Sequence, residues 1–329
     1  MSDNKIAEGR GKKIIDAILR TRELSLVLVV VIFVLVLVLS TNSFWTLNNI
    51  TNVLKQMSIT CILAIGMTFC ISAGGIDLSV GSNMTLGSIL MAMTLSASGN
   101  DPVSMIVAVA MCGLIGLLNG MGVNYLKLNP FIVTLAMDSI CKGVVLVITK
   151  GYPVYIPNTS FTYFLGQRNV FGETFPVLIF CIPLFVIIGK LLLDKTVLGN
   201  RLLAVGGNRV AASLSGLNSN KLNTISYLIC GLFTGIAAIM VTGRLNGGNA
   251  AAAGTLGMDA ISAAIVGGTS MMGGSGTIVG SMLGALLMQL IRNALVLWQV
   301  NTYWQTTVIG VVLILVCSLD VVTNKVKAK

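Results

Sequence analysis

The chain has 329 residues, 55% of them hydrophobic and 10% charged, and its mean hydropathy is +0.92. So little polar surface excludes a water-soluble globule and marks an integral membrane protein in contact with lipid. Its 21 Lys and Arg exceed its 11 Asp and Glu by a formal charge of +10, which in a soluble protein would point to nucleic acid but here has a topological origin, so no nucleic-acid partner is expected.

At about 20 apolar residues per crossing, the hydrophobic runs predict about ten spans. The runs are continuous rather than alternating, so the spanning elements are helices and the fold class is an all-α polytopic membrane protein. Residues 1–23 carry both signs of charge and suit a cytoplasmic surface segment. No small-residue cleavage pattern follows them, so they do not read as a cleavable signal peptide. The membrane domain is expected over residues 24–322, with a short tail at 323–329. Residues 24–40 are nearly pure Val and Leu and are predicted to sit at the periphery, followed by Phe44 and Trp45 at the far interface.

A second span is predicted at 57–72. The string Ala73-Gly74-Gly75-Ile76-Asp77-Leu78-Ser79-Val80-Gly81-Ser82 then interrupts the apolar pattern with an acid and two hydroxyls that face lipid only at high cost. Asp77 either caps the third helix or contacts solute, and with Ser79, Asn83, Asn119 and Thr134 it forms the candidate translocation path. Residues 98–102 are an external turn. The fourth span, 103–123, carries Gly113, Gly116 and Gly120 at helical spacing, a contact stripe for a neighbouring helix. Pro130 starts the fifth span, whose Asp138 and Lys142 stand one turn apart: a self-satisfied pair, or an ion-coupling pair. Residues 150–174 are the longest external segment, and the sixth span follows at 175–193.

Residues 194–223 form the longest polar interval with apolar spans on both sides. Within it, Gly206, Gly207, Asn208, Arg209, Val210, Ala211, Ala212, Leu214 and Gly216 read as a short helix with its punctuation, Asn208 capping the start and Gly216 closing the end. Val210 and Leu214 share a face, and a helix of about two turns needs something to pack against. Either it docks a partner protein or it is a loop between spans.

The seventh span is predicted at 222–241. Gly257-Met258-Asp259-Ala260-Ile261-Ser262 then echoes Gly75-Ile76-Asp77-Leu78-Ser79, but from the opposite side of the membrane, which reads as two halves related by inversion. The short eighth span ends in the glycine-rich stretch 267–277. That stretch lacks the GxxxxGK[ST] pattern and reads as a tight re-entry between packed helices rather than a phosphate cradle. Arg292 is expected to snorkel from the outer end of the ninth span. Trp298, Tyr303 and Trp304 form a second aromatic belt before the tenth.

Six basic residues of the N-terminal segment, Lys127, five between Lys190 and Lys221 and three of the tail fall on one side, 15 of the 21, which orients both termini to the cytoplasm. The seven cysteines lie in apolar runs without metal-like spacing and read as small hydrophobes, and there is no histidine. No catalytic constellation, metal cluster or cofactor site is expected, so the chain reads as a transporter and not an enzyme. If ATP drives it, the ATP is used by a separate ATPase, docked on the helix after Asn208.

Gly75 to Gly81, Asn129-Pro130-Phe131-Ile132-Val133-Thr134-Leu135, Gly206-Gly207-Asn208 with Ala211-Ala212 and Ser215-Gly216, Asp259-Ala260-Ile261 leading into Gly267-Gly268-Thr269, and Tyr303-Trp304-Gln305 stand in a fixed order along residues 24–322. In this the chain resembles the membrane permeases of bacterial sugar ABC importers, the ribose, galactose, xylose and autoinducer-2 group. The resemblance implies an inner-membrane permease, paired with a second copy or a sister permease. It also implies sugar delivered by a periplasmic binding protein and drive from a cytosolic ABC ATPase. Family members often have Glu where this chain has Val210 and Gly257. The alternative is an ion-coupled secondary transporter of a small polar solute using Asp138 and Lys142.

Overall fold

The computed structural model describes residues 22–170, 175–252, 254–301, 304–305, 307–311 and 314. The expected surface segment before residue 22, Tyr303, most of the tenth span and the tail lie outside the described residues. The chain runs through α1 (Arg22–Ser40), α2 (Leu47–Ser72), α3 (Val80–Ser98), α4 (Asp101–Asn124) and α5 (Pro130–Thr149). A small outer segment follows, with β1 (Val154–Tyr155), α6 (Phe161–Gln167), β2 (Asn169–Val170) and β3 (Phe175–Pro176). A 3₁₀ turn, Val177–Phe180, leads into α7 (Cys181–Lys190) and a π turn, Leu191–Lys195. Then come α8 (Val197–Gly207), α9 (Arg209–Leu214), α10 (Ser219–Leu245), β4 (Gly247–Gly248), α11 (Leu256–Val266) and α12 (Ile278–Leu297). β1 pairs antiparallel with β4, and β2 with β3.

The helices start where the local chemistry satisfies their free N–H groups. Asn100 accepts from Val103 N at 3.1 Å, Asn129 from Phe131 N at 2.9 Å, Asn218 from Lys221 N at 3.0 Å and Thr277 from Gly280 N at 2.8 Å. Proline occupies the first turn of both α4 and α5, where its missing N–H costs nothing.

Among the described residues seven helical runs, not about ten, are long and apolar enough to cross a membrane: α1, α2, α4, α5, Val177–Lys195, α10 and α12. The third expected span, α3, is diluted by Ser82, Asn83, Thr85 and Ser88. All four are buried by neighbouring helices, so they never meet lipid. The eighth, α11, has 11 residues. At 1.5 Å per residue it spans about 16 Å, roughly half the hydrocarbon thickness.

Two long helices form the centre. α2 is buried on every side from Met57 to Ser72, and α10 packs against it. α3 and α4, which follow α2, pack on α10; α11 and α12, which follow α10, pack on α2. The corresponding helices run in opposite senses. α2 ends beside the end of α8, and α10 begins beside α9, the helix that follows α8, as Ser72 meets Gly206 and Ser219 meets Ser213. α1 lies outside this bundle, against α12, through Leu26, Val30 and Leu37 packed with Leu287, Leu290 and Ala294.

The glycine stripe of α4 faces α10. A methyl group at Gly116 would overlap the Tyr227 carbonyl, and one at Gly231 of α10 would overlap the Cys112 carbonyl, so the two backbones touch. Gly116→Leu is therefore expected to force the pair apart and cost about 1–3 kcal/mol. Gly143→Ala, in the interior of α5 at a glycine with open space around it, should not destabilise and is expected to add about 0.5–1 kcal/mol. Thermal unfolding in detergent checks both; a Gly116→Leu protein that melts with the wild type would disprove this contact.

Candidate functional site

α9 is a handle built by its own sequence. Asn208 Oδ1 accepts from Ala211 N at 2.9 Å, and the chain leaves through Gly216 at φ 83°, a left-handed turn that a side chain would strain. Ala212 points inward, whereas Val210 is 70% and Leu214 85% exposed. Behind the handle the backbones interlock. A side chain on Gly206 would overlap the Ser72 carbonyl, which itself accepts from Gly274 N at 2.8 Å, and a Cβ on Gly274 would stand 2.6 Å from Gly207 Cα. The ends of α8 and α2 and the re-entrant loop after α11 therefore meet with no side chain between them. α8 itself was not legible in the sequence, where its residues read only as part of a polar interval.

Beyond that contact lies the hinge between α2 and α3. α3 begins at Val80, so Asp77 does not cap it. Instead its Oδ1 accepts from Ser79 N at 2.9 Å and from Ser79 Oγ at 2.6 Å, and Asn119 Nδ2 reaches both carboxylate oxygens at 3.2 Å and Ser79 Oγ at 2.9 Å. Asn83 Nδ2 donates to Cys112 O at 3.1 Å, and Thr134 Oγ1 to Pro130 O at 2.8 Å. All five expected path residues are buried within one chain. Asp77, Ser79 and Asn119 form one cluster, which Asn83 and Thr134 do not join by hydrogen bonds. Asn83 and Asn119 each keep a buried Oδ1 without a partner.

In the second half the corresponding acid has a cation. Asp259 is buried at the start of α11, and Arg292 of α12 grips it with Nε at 2.6 Å from Oδ2 and Nη2 at 2.9 Å from Oδ1. Arg292 thus does not snorkel: a bidentate partner inside the bundle outcompetes the interface. No pattern in the sequence links residues 33 positions apart on different helices.

An open cavity of about 380 Å³ lies between α3, α5 and the loop after β4, lined by Ser82, Thr85, Lys142, Val145, Ala250 and Gly254 among others. Lys142 Nζ binds Asp138 at 2.7 Å on the exposed face of α5, as the one-turn spacing predicts, with 62% of the lysine side chain exposed. None of the five expected path residues lines this cavity; the hydroxyls of Ser82 and Thr85, on either side of Asn83 along α3, do.

Removing Arg292 would leave Asp259 buried and unpaired. Arg292→Met is expected to cost about 3–5 kcal/mol, with much of the loss recovered when Asp259→Asn is added. Monodisperse yield and melting temperature in detergent check this; no recovery in the double variant would mean that the arginine acts by packing alone.

Residues 49–317 match the family model described as the branched-chain amino acid transport system / permease component. The ribose import permease protein RbsC of Escherichia coli (strain K12) is 36% identical over 316 residues, covering 94% of this chain and 97% of the relative. The D-allose transport system permease protein AlsC of the same strain is 35% identical, covering 87% of each chain. The xylose transport system permease protein XylH, again of that strain, is 30% identical, covering 86% and 87%. No solved structure matches the chain. With its multi-pass helical architecture and matches that span most of its length, the chain belongs to the membrane-permease family of the bacterial monosaccharide ATP-binding cassette importers.

Proposed function

We propose that this chain is the permease subunit of an importer that passes a pentose, hexose or related sugar, delivered by a periplasmic binding protein, across the bacterial inner membrane under the drive of a separate cytosolic ATPase. The observation that carries this reading is α9. A six-residue helix has no reason to hold Val210 and Leu214 in water unless another protein covers them, and the end of α8 that leads into it is locked against the end of α2. The side bearing α9 is then cytoplasmic, with both termini on it, in keeping with the distribution of basic residues.

The cofactor budget of this chain is nil on this reading: ATP is bound and hydrolysed by the partner. Val210 offers that partner an apolar contact in place of the acid its relatives often carry. Gly257 has a different reason to lack one. A Cβ there would stand 3.1 Å from Gly81 N, so the starts of α11 and α3 approach too closely for a glutamate to enter without displacement. The opposed senses of α2 and α10, with Asp77 and Asp259 at matching places, support an inverted repeat.

The sugar path runs on this reading along α3 and α5 through the cavity of Ser82, Thr85 and Lys142, closed on its open side by a second copy or a sister permease. An exposed Lys142 within a membrane helix is better placed against such a path than against lipid. Asp77, Ser79, Asn119, Asn83 and Thr134 flank it as the polar interior that rearranges when it opens, the free Oδ1 atoms of Asn83 and Asn119 being available to solute or water. The names of the relatives favour ribose, allose or xylose as first solutes to try.

Val210→Asp with Leu214→Asp should weaken the ATPase complex by about a hundredfold or more, since two buried aliphatic side chains contribute about 3 kcal/mol together. Co-purification from detergent extracts measures it, and an undiminished complex refutes the docking site. Energised but ATP-depleted vesicles should take up no radiolabelled ribose, allose or xylose. Continued uptake there would favour the ion-coupled alternative.

A further inference from the structure

We infer that Arg209 is a coupling residue, which completes a network of two buried amides and through them holds the hinge between α2 and α3; this rests on the importer reading above. Arg209 Nη2 donates to Asn124 Oδ1 at 2.6 Å, at the end of α4, and to Asn220 Oδ1 at 2.7 Å, in the first turn of α10. Both are short, charge-assisted bonds. The first satisfies the Asn124 oxygen, while the amide's Nδ2 donates to Gly120 O at 2.9 Å, Thr224 Oγ1 at 3.1 Å and Asn223 Oδ1 at 2.9 Å. Asn223 Nδ2 in turn donates to Ala73 O at 2.8 Å, the first residue beyond α2. One helical turn along α10, the Tyr227 hydroxyl accepts from Ile76 N at 3.1 Å and donates to Ile76 O at 3.2 Å. The next residue is Asp77, held from α4 by Asn119.

From Arg209 to Ala73 O the donors all point the same way, from the handle to the hinge. With Arg209 in place both amides are satisfied at the oxygen and at the nitrogen. When a partner gripping Val210 and Leu214 draws α9 outward, the cation leaves, Asn124 Oδ1 is left buried without its donor, and the network has to rearrange, which loosens the bond to Ala73 O. The hinge is thereby freed at the moment the handle moves. Asn124 and Asn223 are both buried and lie away from the docking face, so they act as positioning residues and touch neither partner nor solute.

The test uses the assembled complex in proteoliposomes, with ATP hydrolysis and uptake of radiolabelled ribose, allose or xylose, whichever the wild type carries, measured together. Arg209→Ala and Asn223→Ala keep Val210 and Leu214, so both should still co-purify with the ATPase. In each, sugar carried per ATP hydrolysed should fall by about three- to tenfold. The double variant should be no worse than either single one, because both break the same chain. Arg209→Lys, which retains a cation with three donors, should restore at least half of the ratio. An unchanged ratio in both single variants, uptake and hydrolysis falling in proportion, or additive losses in the double variant would overturn the inference. If the wild type carried no ATPase at all, the importer reading would fail instead.

Discussion

A carboxylate taken out of water must be satisfied by the protein, and the interior of this bundle is arranged around two of them. Desolvation of an ion costs several kcal/mol even after relaxation, so neither acid could persist at its helix start without fixed donors. Asp77 obtains them from its own hinge and from Asn119, whereas Asp259 obtains a bidentate guanidinium from Arg292. In each case the donor sits on the helix after the one that the acid introduces. The two acids therefore pin α3 to α4 and α11 to α12, and they set the depth at which each short, polar helix begins.

Backbone contact supplies the second constraint. Lipid provides no hydrophobic drive between helices, so close packing must hold them, and small residues permit the closest approach. Gly116 against Tyr227 joins the two halves along α4 and α10, while Gly206 against Ser72 and Gly274 against Gly207 join the end of α8, which leads directly into α9, to both. Such joints are stiff because no flexible side chain lies between them. A displacement of α9 can hardly be absorbed locally; it reaches the end of α2 and the loop after α11 together. The hydrogen-bonded asparagines beside that joint are the softer, switchable element.

The chain also separates what faces lipid from what faces protein. α1 carries its Val and Leu outward, and its contacts are confined to one side. α3 and α11, by contrast, are surrounded by other helices and can afford serines, asparagines and an acid. α5 is intermediate, with an apolar outer face interrupted by Asp138 and Lys142 beside the cavity.

Much that is governed by near neighbours was legible in the residues themselves, although α8 was not. Composition settled the membrane class, the one-turn spacing of Asp138 and Lys142 their pairing, Asn208 and Gly216 the two ends of α9, and the spacing of Gly113, Gly116 and Gly120 a helix contact. These depend on backbone geometry within a few residues or on transfer into lipid, both of which a linear sequence specifies. The number of lipid-spanning helices was not legible, because hydropathy cannot tell a helix buried by protein from one that misses the membrane. Nor were the partners of Asp77, Asp259 and Arg209, or the burial of the five expected path residues. Those follow from which faces of distant helices meet, and only the packing of α2 and α10 at the centre of the bundle decided that.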